Sequence, residues 1–386
     1  MQATAPIPVN APLITPAAKR YVAEAMASGW ISSAGPAVEA FERRFAQWLG
    51  VKHAVTTGSG TTALHLALAA LRIGPGDEVI VPDFTMIAPV CAVLYTGAKP
   101  VLVDCEPDTW TLDVARVADA ITPRTRAILP VHVYGHSADM EPLLALARRH
   151  GLAVIEDAAE AHGATCRGRL CGSIGDVGAF SFYGNKIVTT GEGGMVVTDD
   201  DALAERARRL KDMAHVPGER FAHAELGYSY RMGNLQAACG LGQLEHVAEF
   251  VAAKRAMAAR YGERLRGIPG LALPVTRPWA GNVYWMYAVV LEDGFALTRD
   301  DLCAELQRRG VETRPFFRSA AQQPVVRERA GVQGPFPVSE RISARGLYLP
   351  SGLALTAAQI DHVCAAIGDA VAPGTARASA RRRPRP

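Results

Sequence analysis

Between residues 177 and 198 the chain reads as strand, tight glycine-rich loop and strand, with one lysine inside the loop. Val177 to Phe182 is apolar and aromatic, and Met195 to Thr198 is β-branched and apolar, both strand compositions. Between them, Gly184 and the run Gly191-Glu192-Gly193-Gly194 permit backbone angles that other residues resist. A solvated surface amine is the ordinary reading of any one lysine. Lys186, however, sits among small and aromatic residues suited to wrapping a ligand. A lysine stripped of water deprotonates near neutral pH and attacks a carbonyl to form a Schiff base. If that carbonyl is the aldehyde of pyridoxal phosphate, two further groups are required. One is a phosphate cradle and the other a carboxylate for the pyridine nitrogen.

Both have candidates. Thr57-Gly58-Ser59-Gly60-Thr61-Thr62 follows a strand-like segment and opens a helical one. Free backbone N–H groups, the helix dipole and several hydroxyls favour a phosphate there, although Ser and Thr before a helix also make an ordinary cap. A Walker A loop is excluded, because no Gly-Lys-Ser/Thr closes it. The second candidate is Asp157, where the apolar run Ala153 to Ile155 ends in Glu156-Asp157. An ionised Asp there keeps a pyridine nitrogen protonated; taken alone, it reads first as a cap on the next helix. Phosphate loop, strand-end Asp and loop Lys occur in that order along one βα alternation.

That alternation runs from about 52 to 200. Strands are expected at His53–Thr56, Glu78–Val81, Val101–Val103, Ala127–Val131 and Ala153–Ile155. Helices are expected at Thr61–Leu71, Ile87–Tyr95 and Met140–His150. This is the pattern of a parallel sheet covered by helices on both faces, with ligands beyond the strands' carboxyl ends. Upstream, helices are expected at Pro16–Ser28 and Val38–Leu49, and Gly29-Trp30-Ile31-Ser32-Ser33 reads either as a ligand-lining loop or as a turn with a buried Trp. Downstream, one long helical region spans Leu235 to about Leu265. A smaller α+β unit follows, with a strand at Tyr284–Leu291, a helix at Thr298–Arg309 and a terminal helix at Thr356–Val371. The division is then residues 1–250 as N-terminal segment and large α/β domain, 251–372 as a small α+β domain, and 373–386 as a tail. Five arginines in a Ser/Ala/Pro context predict that the tail is disordered.

A net charge of +3, much of it in that tail, does not suggest nucleic acid. Seven scattered cysteines suit a reducing compartment, and Cys166 and Cys171 lack a second pair at zinc-site spacing, so no metal is expected. No signal peptide or membrane span is visible, and a cytoplasmic protein is expected.

The chain to about residue 370 resembles the DegT/DnrJ/StrS family of pyridoxal-phosphate-dependent sugar aminotransferases. The resemblance rests on Gly29-Trp30-Ile31-Ser32-Ser33, Gly58 to Leu64, Val81 to Thr85, Glu156 to Gly163, Ser181 to Lys186 and Gly191 to Gly194. Leu226 to Met232 and Leu349 to Leu353 continue it. Gly184-Asn185-Lys186, Asn282 to Met286 and Glu312 to Phe317 are most similar to the branch of GDP-perosamine synthases, which aminate C4 of a nucleotide-linked 4-keto-6-deoxyhexose. The resemblance implies the fold type I (aspartate aminotransferase-like) α/β architecture, with a large mixed, mostly parallel sheet and a smaller α+β C-terminal domain.

By position, it implies that Lys186 is the Schiff-base lysine and proton carrier, that Asp157 pairs the pyridine nitrogen, and that Glu160 approaches the cofactor's 3′ oxygen. Gly60, Thr61 and Ser181 hold the phosphate, Met86 packs on the ring, and Ser229 completes the site from a partner subunit of a homodimer. Trp30, Ser32, Arg231, Arg314 and Arg318 are the substrate-side candidates. L-Glutamate is the implied amino donor and a nucleotide-linked ketosugar the acceptor.

Three positions depart from the family pattern. Met86 stands where an aromatic is common, Ser229 where an Asn is common, and Ala321 where a sugar-site His is common, with Arg318 new nearby. The alternatives are therefore a C3 ketosugar-nucleotide aminotransferase of an antibiotic amino-sugar pathway, or an aminocyclitol aminotransferase acting on a non-nucleotide ring. A 3-dehydratase on this scaffold carries His at the lysine position, and Lys186 argues against it. A cofactor-binding regulator is the non-enzyme alternative; no helix-turn-helix segment or basic face supports it.

Overall fold

The structure, a computed structural model, describes residues 6–372 except Arg220 and Val332. The expected disordered tail at 373–386 and the first five residues lie outside the described residues. The main sheet has seven strands in the spatial order His53–Thr57, Gly194–Thr198, Val177–Ser181, Ala153–Asp157, Thr125–Ile128, Glu78–Pro82 and Lys99–Val103. Its pairings are parallel except around Gly194–Thr198, which runs antiparallel to both neighbours. The sheet is thus mixed. The exception has a local cause: the lysine loop joins two adjacent strands directly, and only antiparallel strands can be joined by so short a connection.

Both faces of this sheet are buried, so its strands carry no polar alternation. Val79, Val81 and Ile155 face one core with Phe41, Phe45, Phe180 and Phe182, whereas Ile80, Ile128 and Val154 face a second core with Val117, Leu143 and Leu146. Phe45 lies in an aromatic cluster, its ring centroid 5.0 Å from Phe180, 5.1 Å from Trp48 and 5.4 Å from Phe182. That cluster backs the strand leading into the lysine loop.

A four-stranded antiparallel sheet, Leu271–Ala272, Tyr287–Leu291, Gly346–Leu349 and Arg314–Pro315, forms the smaller unit. Tyr287, Val289 and Leu291 face a third core with the helices Val247–Leu265, Arg299–Arg308 and Ala357–Val371. The intervening Ala288 and Val290 face the first core. One strand therefore packs on both units, through the two-residue period of an extended chain. Ile7 joins the third core and pairs with Val311, so the N-terminal segment is bound to the C-terminal unit.

Three expected elements differ. The long helix is two, Asn234–Leu244 and Val247–Leu265, with His246 leaving helical geometry at φ −111°, ψ 9°. The first helix is held against the N-terminal one, where a Cβ on Gly242 would lie 2.2 Å from the Ala18 nitrogen, and the second follows the small sheet. The strand expected from Tyr284 begins at Tyr287, because Tyr284 has φ +48°. The strand expected to reach Val131 ends at Ile128, shortly before Pro130, which has no N–H for a ladder.

Phe45→Ala removes the centre of the aromatic cluster. It should lower the unfolding free energy by about 3–5 kcal/mol, read as a shift in the urea midpoint at unchanged slope.

Candidate active site

Because six of the seven strands run the same way, their carboxyl ends share one edge, and the chemically interesting side chains gather there. Ser59 caps the helix Gly60–Ala70 through a capping box: its Oγ accepts from Thr62 N (3.2 Å), and Thr62 Oγ1 accepts from Ser59 N (3.0 Å). The N–H groups of Gly60 and Thr61 have no acceptor among the described residues. A Cβ on Gly60 would lie 2.6 Å from the Ser181 Cβ, so only glycine lets the last residue of strand Val177–Ser181 reach this helix end. The helix start at Gly60 and Thr61 and the end of strand Val177–Ser181 are thus brought together, and free N–H groups at a helix start suit an anion. The N–H of Gly58 donates to Tyr230 O (2.9 Å), which lays the segment Gly227 to Arg231 against the same loop.

Asp157 is the final residue of its strand and is buried. One carboxylate oxygen accepts from Ala159 N (3.0 Å); no described residue donates to the other. Burial raises its pKa, offset by Ala159, Lys186 and His132. Lys186 has a side chain only 11% exposed, its Nζ 3.7 Å from Glu160 Oε1 and 3.8 Å from the centroid of the Trp285 ring. Burial lowers the amine's pKa, against the pull of Glu160 and Asp157. A buried amine with a lowered pKa is what nucleophilic attack and proton shuttling at neutral pH require. Glu160 is pushed up to about 7, chiefly by burial, while Lys186 and the Tyr134 N–H (2.7 Å to Oε2) oppose the shift.

Several supporting residues carry no role in the sequence reading. Buried Glu156 accepts from Gly172 N (2.8 Å), Ile174 N (2.5 Å) and Gly175 N (2.6 Å), and from His132 Nε2 (2.9 Å). Ala138 N donates to His132 Nδ1 (3.1 Å), so that nitrogen is unprotonated and the ring donates through Nε2. This network fixes the strand end that carries Asp157. Tyr134 holds φ +52° with its ring buried, and a Cβ on the next residue, Gly135, would lie 2.8 Å from the Trp285 nitrogen. A bulky residue at positive φ is invisible to periodicity and depends on its surroundings. His162, named only as part of a motif, is fully buried beside Phe180 and Phe182. Burial and Lys186 press its pKa down to about 3, so it is neutral at physiological pH.

The substrate-side candidates fall in three places. Trp30 is 57% exposed, not buried, and Ser32 is exposed; their carbonyls accept from Asn234 Nδ2 (2.6 Å) and Asn234 N (3.0 Å). Arg231 is ion-paired with Asp212 and donates to Ser229 Oγ (3.1 Å), beside a cleft of about 390 Å³ that also reaches Ser33 and Thr56. Arg314 pairs across strands with Tyr348, whose ring lies 5.8 Å from that of Tyr134. Exposed Arg318 follows Phe317, whose ring stacks on Tyr134 at 5.2 Å. Met86 is exposed, its sulfur accepting from Ala88 N (3.0 Å). Ala321 is buried, its N–H donated to Asp83 (2.7 Å). Among the described residues no cluster of ligands suits a metal ion, and no helix is long and apolar enough to cross a membrane.

The donor set fits pyridoxal phosphate: free N–H groups beside a hydroxyl, a carboxylate with one free oxygen, and a buried amine that follows both in sequence. Comparison with known proteins agrees. The DegT/DnrJ/EryC1/StrS aminotransferase family model matches residues 12–368. A GDP-perosamine synthase of Caulobacter vibrioides is 48% identical over 365 residues, covering 94% of this chain and 97% of that protein. The solved structure of DesV from S. venezuelae superposes with TM-score 0.86 at 42% identity, covering 91% of this chain and 93% of its own. The PLP form of a Streptococcus pneumoniae protein described as a putative sugar aminotransferase superposes with TM-score 0.89 at 25% identity, covering 94% and 97%.

The raised pKa of Glu160 makes a pH-dependent contribution to stability. Between its ordinary value near 4.5 and about 7, the folded chain retains a proton that the unfolded chain has lost, so stability falls as pH rises through that window. Glu160→Gln has no ionisation there. A flatter dependence of the urea midpoint between pH 4.5 and 7 is expected in that variant, and a curve parallel to wild type would contradict the assignment.

Proposed function

The chain belongs to the DegT/DnrJ/EryC1/StrS aminotransferase family, whose members are pyridoxal-phosphate-dependent transaminases, and from that premise we propose the reaction it catalyses. It moves the amino group of L-glutamate to C4 of a GDP-linked 4-keto-6-deoxyhexose. The reaction type rests on one observation, the buried Lys186 amine held beside Glu160 and Asp157 at the strand ends. The acceptor rests on similarity along nearly the whole chain to the Caulobacter vibrioides synthase.

When bound, the cofactor supplies an aldehyde for the incoming amine and a ring that draws electrons from the reacting carbon. The chain's residues supply the rest. Gly60, Thr61 and Ser181 hold the phosphate, anchoring one end of the cofactor. Asp157 keeps a proton on the pyridine nitrogen through the oxygen that no described residue occupies. In its neutral form, Lys186 Nζ takes a proton from the amine-bearing carbon of glutamate; as the ammonium it returns one when the sugar receives the amine. Burial favours the neutral form, and Glu160 and Asp157 favour the ammonium, so neither state is far from reach. Glu160, fixed by the Tyr134 N–H and 3.7 Å from Lys186 Nζ, would be the residue that approaches the cofactor's 3′ oxygen.

We assign the active assembly as a homodimer. Met213, Phe221 and Leu226 are large apolar residues 40%, 76% and 84% exposed, and they flank the segment that carries Ser229 and Arg231. Apolar surface of that kind next to a binding site marks a contact with another chain. A second copy covering it would bring a further Ser229 and Arg231 to each phosphate site.

The visible absorption band of the purified holoenzyme tests this reading. L-Glutamate should abolish the band, and a GDP-4-keto-6-deoxysugar should restore it while dTDP and UDP ketosugars do not. A band insensitive to glutamate would refute the donor, and restoration by a 3-ketosugar would move the amination site. In Asp157→Asn the cofactor should still bind, with turnover slower by about three or more orders of magnitude, since a lost electron sink adds several kcal/mol to the barrier.

A further inference from the structure

Lys254 is the one lysine of the helix Val247–Leu265 and is 2% exposed, without an acidic partner within ion-pairing distance among the described residues. Its Nζ donates to Trp285 O (2.8 Å) and to Ser351 O. A buried amine bonded only to carbonyls is costly to maintain. What it holds is therefore informative. Trp285 is 3% exposed, and its ring face carries Lys186 Nζ, 3.8 Å from the centroid. The Trp285 indole N–H donates to Asn185 O (2.8 Å), the carbonyl immediately before Lys186. The Tyr134 ring stacks with it at 6.3 Å, and the Trp285 backbone nitrogen abuts Gly135. The indole is thus fixed at its ring, its N–H and its carbonyl, and the carbonyl anchor comes from the small unit.

We propose that Trp285 is the seat on which the Lys186 ammonium rests whenever its amine is free, and that Lys254 positions Trp285 for this task from a helix of the small unit. The negative face of an indole attracts a cation, most strongly where water is excluded. The ionisable groups facing Lys186 are Glu160 and Asp157, which favour its charged form, and His162, which is neutral at physiological pH. Trp285 adds to the first pair without adding a charge. It therefore holds the proton on Nζ that the acceptor half of the reaction needs, and it does so without competing for the cofactor's polar contacts. Lys254 keeps two N–H donors even when neutral, so both carbonyl bonds persist if it loses a proton. The inference builds on the role given to Lys186 above, but not on the identity of the sugar.

The test reads the amine directly. The full-length protein is loaded with pyridoxamine phosphate, which leaves Lys186 free, and acylation of Lys186 by an amine-reactive probe is followed by mass spectrometry across pH. Trp285→Leu should lower the midpoint by about one pH unit, a tenfold rise in reactivity at a fixed pH below it, and Trp285→Phe should fall between. Equal midpoints in the three proteins would overturn the proposal, whereas loss of the glutamate response alone would fault only the reaction assigned above. Lys254→Met, which removes both donors at similar volume, should lower the midpoint in the same direction. A wild-type midpoint there, even with a reduced Tm, would leave Lys254 a merely structural residue. Should that variant not fold, Lys254→Arg carries the test, since a groove of about 550 Å³ beside residue 254 has room for the larger group. A wild-type midpoint in Lys254→Arg supports the brace; one lowered as in Trp285→Leu overturns it.

Discussion

Burying an amine and two carboxylates at one sheet edge is the constraint on which this architecture turns. Lys186, Glu160 and Asp157 lie together at the carboxyl ends of the strands, in surroundings that penalise every charge. Desolvation costs on the order of several kcal/mol per ion, and mutual attraction offsets it only when geometry is held tightly. Much of the nearby structure serves to hold it. Glu156 gathers three backbone N–H groups and a histidine beneath Asp157, and Tyr134 takes a left-handed backbone so that its N–H meets Glu160.

The same constraint explains why the site needs two units. The main sheet supplies the cradle, the carboxylates and the lysine loop, yet an aromatic face for the lysine comes from the start of a small-sheet strand. Residues 287 to 291 alternate between the core of the small unit and that of the large one, so the two cannot shift independently without exposing one side of that strand. Trp285 immediately precedes it, with its carbonyl bound by Lys254 and its indole by the lysine loop. The aromatic face is thus anchored to both units.

Local chemistry made much of this legible in advance. Helix starts at Thr298 and Thr356 are visible because a hydroxyl accepts from the N–H three residues on, and the structure has both bonds, 3.2 Å each. The strand-end Asp, the Gly-Ser-Gly cradle and the loop lysine are visible because each needs a residue type that its local geometry dictates. Errors arose where a distant contact governs a local choice. Tyr284 reads as strand from its composition but bends to positive φ with its nitrogen against Gly135. The break at His246 separates two good helical runs that belong to different packing partners.

The residues alone determined the alternating strands and helices and the order of Gly-Ser-Gly loop, carboxylate and lysine, because these follow from periodicity, spacing and side-chain type; the family came from the resemblance of the motifs. Tertiary structure alone decided which groups face Lys186. Trp285 stands 99 positions beyond it, Glu160 26 before it, and Lys254 acts from a helix in between. No local rule relates residues at such separations. The protonation of a buried amine depends on every charge and ring within a few ångströms of it, and those distances exist only once the two units have packed.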